Sequence, residues 1–108
     1  MTIKLTLLRS GEYLISEVKE LVSGEPEKVH GYLLSKPRKV SMAAPTFLTE
    51  ETNTEKSSVQ VSLSSWCILA KNDEFVVPLD WIVTFMEPAD RLVRMYEEYL
   101  NDLSLIHI

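Results

Sequence analysis

Short apolar runs separated by compact polar breaks set most of the elements expected of this chain. Ile3, Leu5, Leu7 and Leu8 form an opening run that stops at the polar turn Arg9-Ser10-Gly11-Glu12. Leu14, Val18, Leu21 and Val22 then recur at helical spacing. A strand fits the same stretch, with Leu14, Val18 and Val22 on one face and Tyr13, Ile15 and Leu21 on the other. Its flanking breaks suit a hairpin as well as a capped helix, so the pattern alone leaves residues 12–22 open. Residues 28–42 read as a strand that Gly31 weakens and Pro37, lacking a ladder donor, bends or interrupts.

A polar stretch over about 43–57 has little to bury and is expected to be a mobile loop. Residues 58–69 alternate most cleanly: Val59, Val61, Leu63, Ser65, Cys67 and Leu69 against Ser58, Gln60, Ser62, Ser64 and Trp66. Phe75-Val76-Val77 makes a short strand, Pro78-Leu79-Asp80 a tight connection, and Trp81 to Met86 a further apolar strand. A helix is expected over about 88–103: Pro88 suits its first position and Asp90 its positive end. Leu92, Met95, Tyr96, Tyr99, Leu100 and Leu103 give it one apolar stripe. The result is one domain: five mostly antiparallel strands over about 3–87 forming a small bent barrel, followed by one C-terminal helix.

Composition narrows the class without naming a chemistry. Apolar residues make up 45% and charged residues 25% of 108, an ordinary globular balance. No apolar run approaches the roughly 20 residues that span a bilayer, and the N-terminus lacks the order of a secretory signal. With Cys67 the single cysteine, there is neither an intrachain disulfide nor a thiolate cluster, and a cytoplasmic location is expected. The apolar neighbours of Cys67 imply a buried, inert thiol. His30 and His107 have no carboxylate or cysteine at ligand spacing, so no metal is expected. No nucleophile-base order and no phosphate-cradling glycine loop is present among three glycines, and neither an enzyme nor a cofactor is expected.

The net charge of −5 opposes nucleic-acid binding by charge alone. Its distribution is uneven, because no acid occurs between Lys28 and Thr49 while Lys28, Lys36, Arg38 and Lys39 all do. The stretch is either a solvated strand face or an anion-binding stripe.

The late pair of strands, Phe75-Val76-Val77-Pro78-Leu79-Asp80-Trp81-Ile82-Val83-Thr84-Phe85-Met86, and the opening Leu8-Arg9-Ser10-Gly11 followed by Leu14, Ser16 and Val18 resemble the two motifs of the Sm/LSm family, which includes Hfq. Ser10-Gly11-Glu12-Tyr13-Leu14-Ile15-Ser16-Glu17-Val18 and Leu34-Ser35-Lys36-Pro37 look closer still to small Sm-like proteins of marine bacteriophages (cyanophages). The resemblance covers about residues 5–88 and decides strand over helix for 12–22. It implies a five-stranded Sm-like (SH3-like) barrel and a homo-oligomeric ring of about five to seven copies, in which the fourth strand of one copy pairs with the fifth of the next. The apolar Phe75, Val76, Val77, Trp81, Ile82, Val83 and Phe85 would then form the subunit interface.

The family's uridine pocket uses an Asp and an Asn after the second strand and an Arg-Gly before the fifth. Here Asn53 is the single candidate in the first loop, and Leu79-Asp80 stands at the second. Binding of single-stranded RNA or DNA would therefore fall to His30, Tyr32, Lys36, Arg38 and Lys39, with cations on phosphates and Tyr32 stacking on a base. Against this nucleic-acid-processing ring stands a ring that binds only proteins, such as a phage accessory or assembly component. An SH3-like monomeric adaptor is the third alternative.

Overall fold

The opening apolar run is itself a strand, so the sheet has six strands rather than five. In the computed structural model the described residues are 2–43 and 60–106, with side chains described for 2–42 and 60–101. In chain order they form β1 (Thr2–Leu8), β2 (Tyr13–Ser23), β3 (Lys28–Ala43), β4 (Gln60–Ser65), β5 (Glu74–Pro78), a single 3-10 turn (Leu79–Trp81), β6 (Ile82–Met86) and α1 (Asp90–Ile106). The expected loop over 43–57 lies, apart from its first residue, outside the described residues, as does the side chain of Leu103.

The pairing is antiparallel throughout, in the order β4-β3-β2-β1-β6, with β5 joined to β3 as well. Strand β3 is long enough to serve two neighbours. Gly31 to Ser35 pair with β5, whereas Arg38 to Ala43 pair with β4. The change of partner falls where the β2–β3 register shifts and where Lys36 takes the left-handed φ of 54°. Pro37 brings no ladder N–H at this point, so the strand bulges rather than running straight. Strands β5 and β6 are joined by the 3-10 turn without pairing, and the sheet stays open between them.

Both faces of this sheet are covered near its centre. Leu14 and Ile15, neighbours on β2, point to opposite sides as strand geometry demands, and both are fully buried. Leu14 packs with Leu8, Leu34 and Val77, and with the half-buried Trp66 and Ile82. These residues come from strands at opposite margins, so the sheet curls around them. Ile15 packs with Val40 and Tyr96 against the stripe Leu92 and Leu100 of α1. Burying both faces is what a chain of this size needs for its core, because a flat sheet would leave one face wet.

Two glycines hold positions that no other residue fits comfortably. Gly11 turns β1 into β2 with φ 92°, a conformation that L side chains avoid. Gly31 lets β5 lie close to β3: a Cβ there would stand 2.9 Å from the Val77 carbonyl oxygen.

The alternation expected through residue 69 ends at Ser65, where the chain turns and the Ala70 amide bonds the Cys67 carbonyl at 3.1 Å. Cys67 is therefore exposed rather than buried, and Leu69 stands 97% exposed at the tip of the connection to β5. No helix among the described residues is long and apolar enough to cross a membrane.

Candidate assembly and nucleic-acid interface

The basic stripe expected on β3 does not form one surface. Tyr32 and Arg38 have the same parity in sequence, but the bulge at Lys36-Pro37 turns them to opposite faces. Tyr32 lies half-buried against the Leu14 cluster, its ring edge-to-face on Phe85 at 4.7 Å between centroids. Arg38 pairs across the ladder with Ile15, on the side that α1 covers, and is only 5% exposed.

Both terminal nitrogens of the Arg38 guanidinium are engaged within the chain, while its buried Nε has no hydrogen-bond partner among the described residues. Its Nη1 and Nη2 donate to the two carboxylate oxygens of Asp73 at 3.2 and 3.0 Å, and Nη1 also donates to the Pro37 carbonyl at 2.8 Å. The group lies 5.5 Å from the ring centroid of Tyr99 on α1. A cation held this way braces the β3 bend, the β4–β5 connection and the helix; it is not presented to a phosphate. The sequence signal for the pair was weak, since Asp73 is one acid among 16 and lies 35 positions away.

The remaining stripe residues are placed separately. His30 is exposed where the hairpin register shifts between Leu21 and Val22. Lys36 is exposed, its backbone amide donating to the Asp73 carbonyl at 2.7 Å. Lys39 is half-buried, 3.7 Å from the Glu12 carboxylate. Asn53 lies outside the described residues. His30 and Lys36 are thus the exposed members of the set, with Tyr32 already stacked internally.

The expected interface residues sort by face, through alternation in β5 and through the register shift at Val83 in β6. Val77 is buried in the chain's own core, and Ile82 packs beside it. Phe75 meets Trp66 edge-to-face at 5.4 Å, and Phe85 meets Tyr32. These four face inward and stabilise the monomer. Val76 at 66% and Val83 at 57% exposure face outward, and Trp81 and Leu79 on the intervening turn are also exposed. Together they form an apolar margin along the gap between β5 and β6. Among the described residues each of these strands pairs on one side only, β5 with β3 and β6 with β1.

Arg9 closes one end of that margin. Its amide donates to the Trp81 carbonyl at 2.9 Å, its Nη1 donates to the Asp80 carbonyl at 3.1 Å, and its guanidinium lies 5.7 Å from the Trp81 ring. A cation thus comes to the β5–β6 turn from the β1–β2 turn, although the turn's own sequence carries the acid Asp80.

On the other face, the Tyr96 hydroxyl donates to the carbonyls of Lys36 at 2.9 Å and Ser35 at 3.3 Å. Burial pushes the phenol pKa up to about 12, and the nearby Glu17 charge adds to the shift. Tyr96 holds the helix to the β3 bend as a neutral donor. No cluster of three or more potential metal ligands occurs among the described residues.

The chain belongs to a family of unknown function, DUF6561, whose profile matches residues 1–101. No curated protein matches it.

Proposed function

We propose that this protein is a self-assembling Sm-like module whose copies join edge to edge, the β5 margin of one pairing with the β6 margin of the next, to form a homo-oligomeric ring that serves as an interaction platform. One observation carries the reading: among the described residues β5 and β6 each leave one edge unpaired, and the residues that face outward along them and their turn, Val76, Leu79, Trp81 and Val83, are apolar and exposed. Open edges of this kind template pairing with another chain unless something covers them. A head-to-tail joint between two different edges gives a ring where its rotation closes on itself and a filament where it does not; the Sm resemblance suggests closure at about five to seven copies. The meander from β1 to β3, with a 3-10 turn between β5 and β6, supports reading the sheet as an open Sm-like barrel.

Single-stranded RNA or DNA binding is the second reading. It rests on the exposed His30 and Lys36, repeated around a ring, because Arg38 is committed to Asp73 and the net charge is −5. Repetition would raise the local cation density that one copy lacks. No catalytic role follows from either reading. A cytoplasmic site of action is proposed with both, in the host cell if the chain is phage-encoded.

Native mass spectrometry of the full chain, with and without a mixed-sequence oligonucleotide, tests both readings at once. A closed multiple of 12.4 kDa supports the ring. A species at 12.4 kDa across micromolar concentrations overturns it in favour of a monomeric adaptor. Added oligonucleotide mass on the ring supports the second reading, and a ring that stays bare at low salt removes it.

A further inference from the structure

A third free edge lies away from the β5–β6 margin, and a cleft runs beside it. Strand β4 pairs only with β3, so its outer edge has no ladder partner among the described residues. Its sequence, Gln60-Val61-Ser62-Leu63-Ser64-Ser65, has no charge and no proline. Those are the usual devices that prevent a further strand from adding.

Helix α1 crosses the face above β4 and touches it at Leu63, which packs against the Tyr96 cluster, but leaves a cleft along its flank. The stripe Leu92, Tyr96 and Leu100 seats the helix on the Ile15 cluster. A neighbouring stripe, Arg91, Met95, Glu98 and Tyr99, lies at the same helical spacing on the flank toward β4. Between this flank and the sheet are two adjoining cavities of about 500 and 200 Å³ that share Met95 as a wall. The larger reaches Met42 and Val61 and has Arg91 among its walls; the smaller reaches Leu63 and Glu98. Val61 and Leu63 are two apart, on the face of β4 that lines the cleft. The larger part of the cleft is mainly apolar and the smaller part mixed, with a cation toward the Val61 end and a carboxylate toward the Leu63 end.

We propose that this cleft binds an extended segment of another protein, which adds a strand to the free edge of β4 and sends alternate apolar side chains under α1. Edge N–H and C=O groups supply the main-chain bonds, and a groove that accepts every second side chain supplies selectivity. The charges at the two ends fix which end of the segment carries which charge. A segment antiparallel to β4 passes Leu63 first and Val61 last, so its leading residue is basic beside Glu98 and its trailing residue acidic beside Arg91. The larger cavity falls in the range of pockets that bind ligands. This site is separate from the β5–β6 margin, so it stands or falls independently of the ring.

The test uses the full chain and a fluorescent peptide of sequence Lys-Val-Thr-Val-Thr-Val-Glu, read by anisotropy, with native mass spectrometry on the same samples. One peptide per chain should bind saturably without a change in the number of chains. N-methylation of the peptide amides that face β4 should weaken binding roughly tenfold, because it removes the ladder donors. Arg91→Glu, at an exposed position that should leave folding intact, should weaken it roughly fivefold and restore it for the same peptide ending in Lys. Absence of saturable binding up to about millimolar peptide, with the chain folded by circular dichroism, overturns the proposal. So does a methylated peptide that binds equally well, or peptide competition that releases a second copy of this chain from β4.

Discussion

The Tyr96 hydroxyl donates to the Lys36 carbonyl at 2.9 Å, which ties the middle of α1 to the residue with a left-handed backbone in β3. The bulge leaves main-chain carbonyls out of the regular ladder, and a buried carbonyl without a donor is costly. Tyr96 supplies that donor while its ring fills the space beside Ile15 and Val40. The bend therefore depends on the helix as well as the reverse.

Tyr96→Phe keeps the ring and removes the donor. Urea denaturation should show a loss of about 1–2 kcal/mol, the range for leaving buried acceptors unpaired. The variant should also differ from the parent in alkaline stability. The folded phenol ionises at about 12, against an ordinary value of 10.0 in the unfolded chain. Between these values the unfolded chain gives up a proton that the folded chain keeps, so stability is intact below pH 10 and falls as pH rises toward 12. The phenylalanine variant lacks this component. A denaturation series from pH 9 to 11.5 that shows equal slopes for the two proteins would contradict this account.

Arg38 and Asp73 should behave as an asymmetric pair. Asp73→Asn leaves a buried guanidinium facing a neutral amide and should cost about 2 kcal/mol, moderated because the carboxylate is half exposed. Arg38→Met, which fills similar space without charge, should cost less than Asp73→Asn. The reverse order in urea midpoints would show that the pair is held for its charge and not for filling the bend.

Much of this arrangement was legible in the chain, and the part that was not has an identifiable cause. Residues 12–22 carry a pattern that suits helix and strand alike; the Sm resemblance decides for strand, and Tyr13–Ser23 is a strand paired with β1 and β3. The late strands and the helical stripe from Leu92 to Leu100 stood out, because alternation and 3.6-residue spacing survive into the fold. The β3 stripe failed, because parity counting assumes an unbroken pleat and Pro37 introduces an extra residue. Cys67 was misplaced for a related reason: the strand ended four residues earlier than its apolar neighbours suggested. No local pattern announces Arg38 with Asp73 or Tyr96 with Lys36, since both contacts join segments distant in sequence.

Gly31 should tolerate no side chain. A Cβ at 2.9 Å from the Val77 carbonyl oxygen requires β5 to move away from β3, and Val77 is part of the core. Gly31→Val should lose about 1–3 kcal/mol by urea denaturation, the range for overpacking. A neutral result would mean that the two strands separate more easily than their pairing implies.

If the assembled protein binds single strands, the exposed Lys36 and His30 should carry the binding and the buried Arg38 should not. Lys36→Ala with His30→Ala should lower oligonucleotide affinity severalfold at low salt. The salt slope should fall by about 0.7 per lost phosphate contact. Arg38→Ala should act mainly on the unfolding midpoint, because its guanidinium already serves Asp73. Filter binding at several salt concentrations, set beside urea melts, distinguishes the two effects. Greater loss of binding from Arg38→Ala in protein shown to be folded would return Arg38 to the binding surface.

The outward residues of the open edges give the sharpest test of assembly. Val76 and Val83 do not belong to either buried cluster, so a charge at either position leaves the monomer's core intact. Val76→Lys or Val83→Lys should leave the unfolding free energy of the monomer, measured in urea at concentrations where the parent is also dissociated, within about 0.5 kcal/mol of the parent. Each should shift the mass by light scattering toward 12.4 kDa, because a lysine on a pairing edge opposes strand addition. Val77→Lys is the contrasting variant. Val77 faces inward and is 4% exposed, so its replacement should unfold the chain instead of dissociating it. If the two outward variants kept the parent's oligomeric mass, β5 and β6 would not be the joining edges. Assembly would then use another surface, and the open edge of β4 is one that the described residues offer.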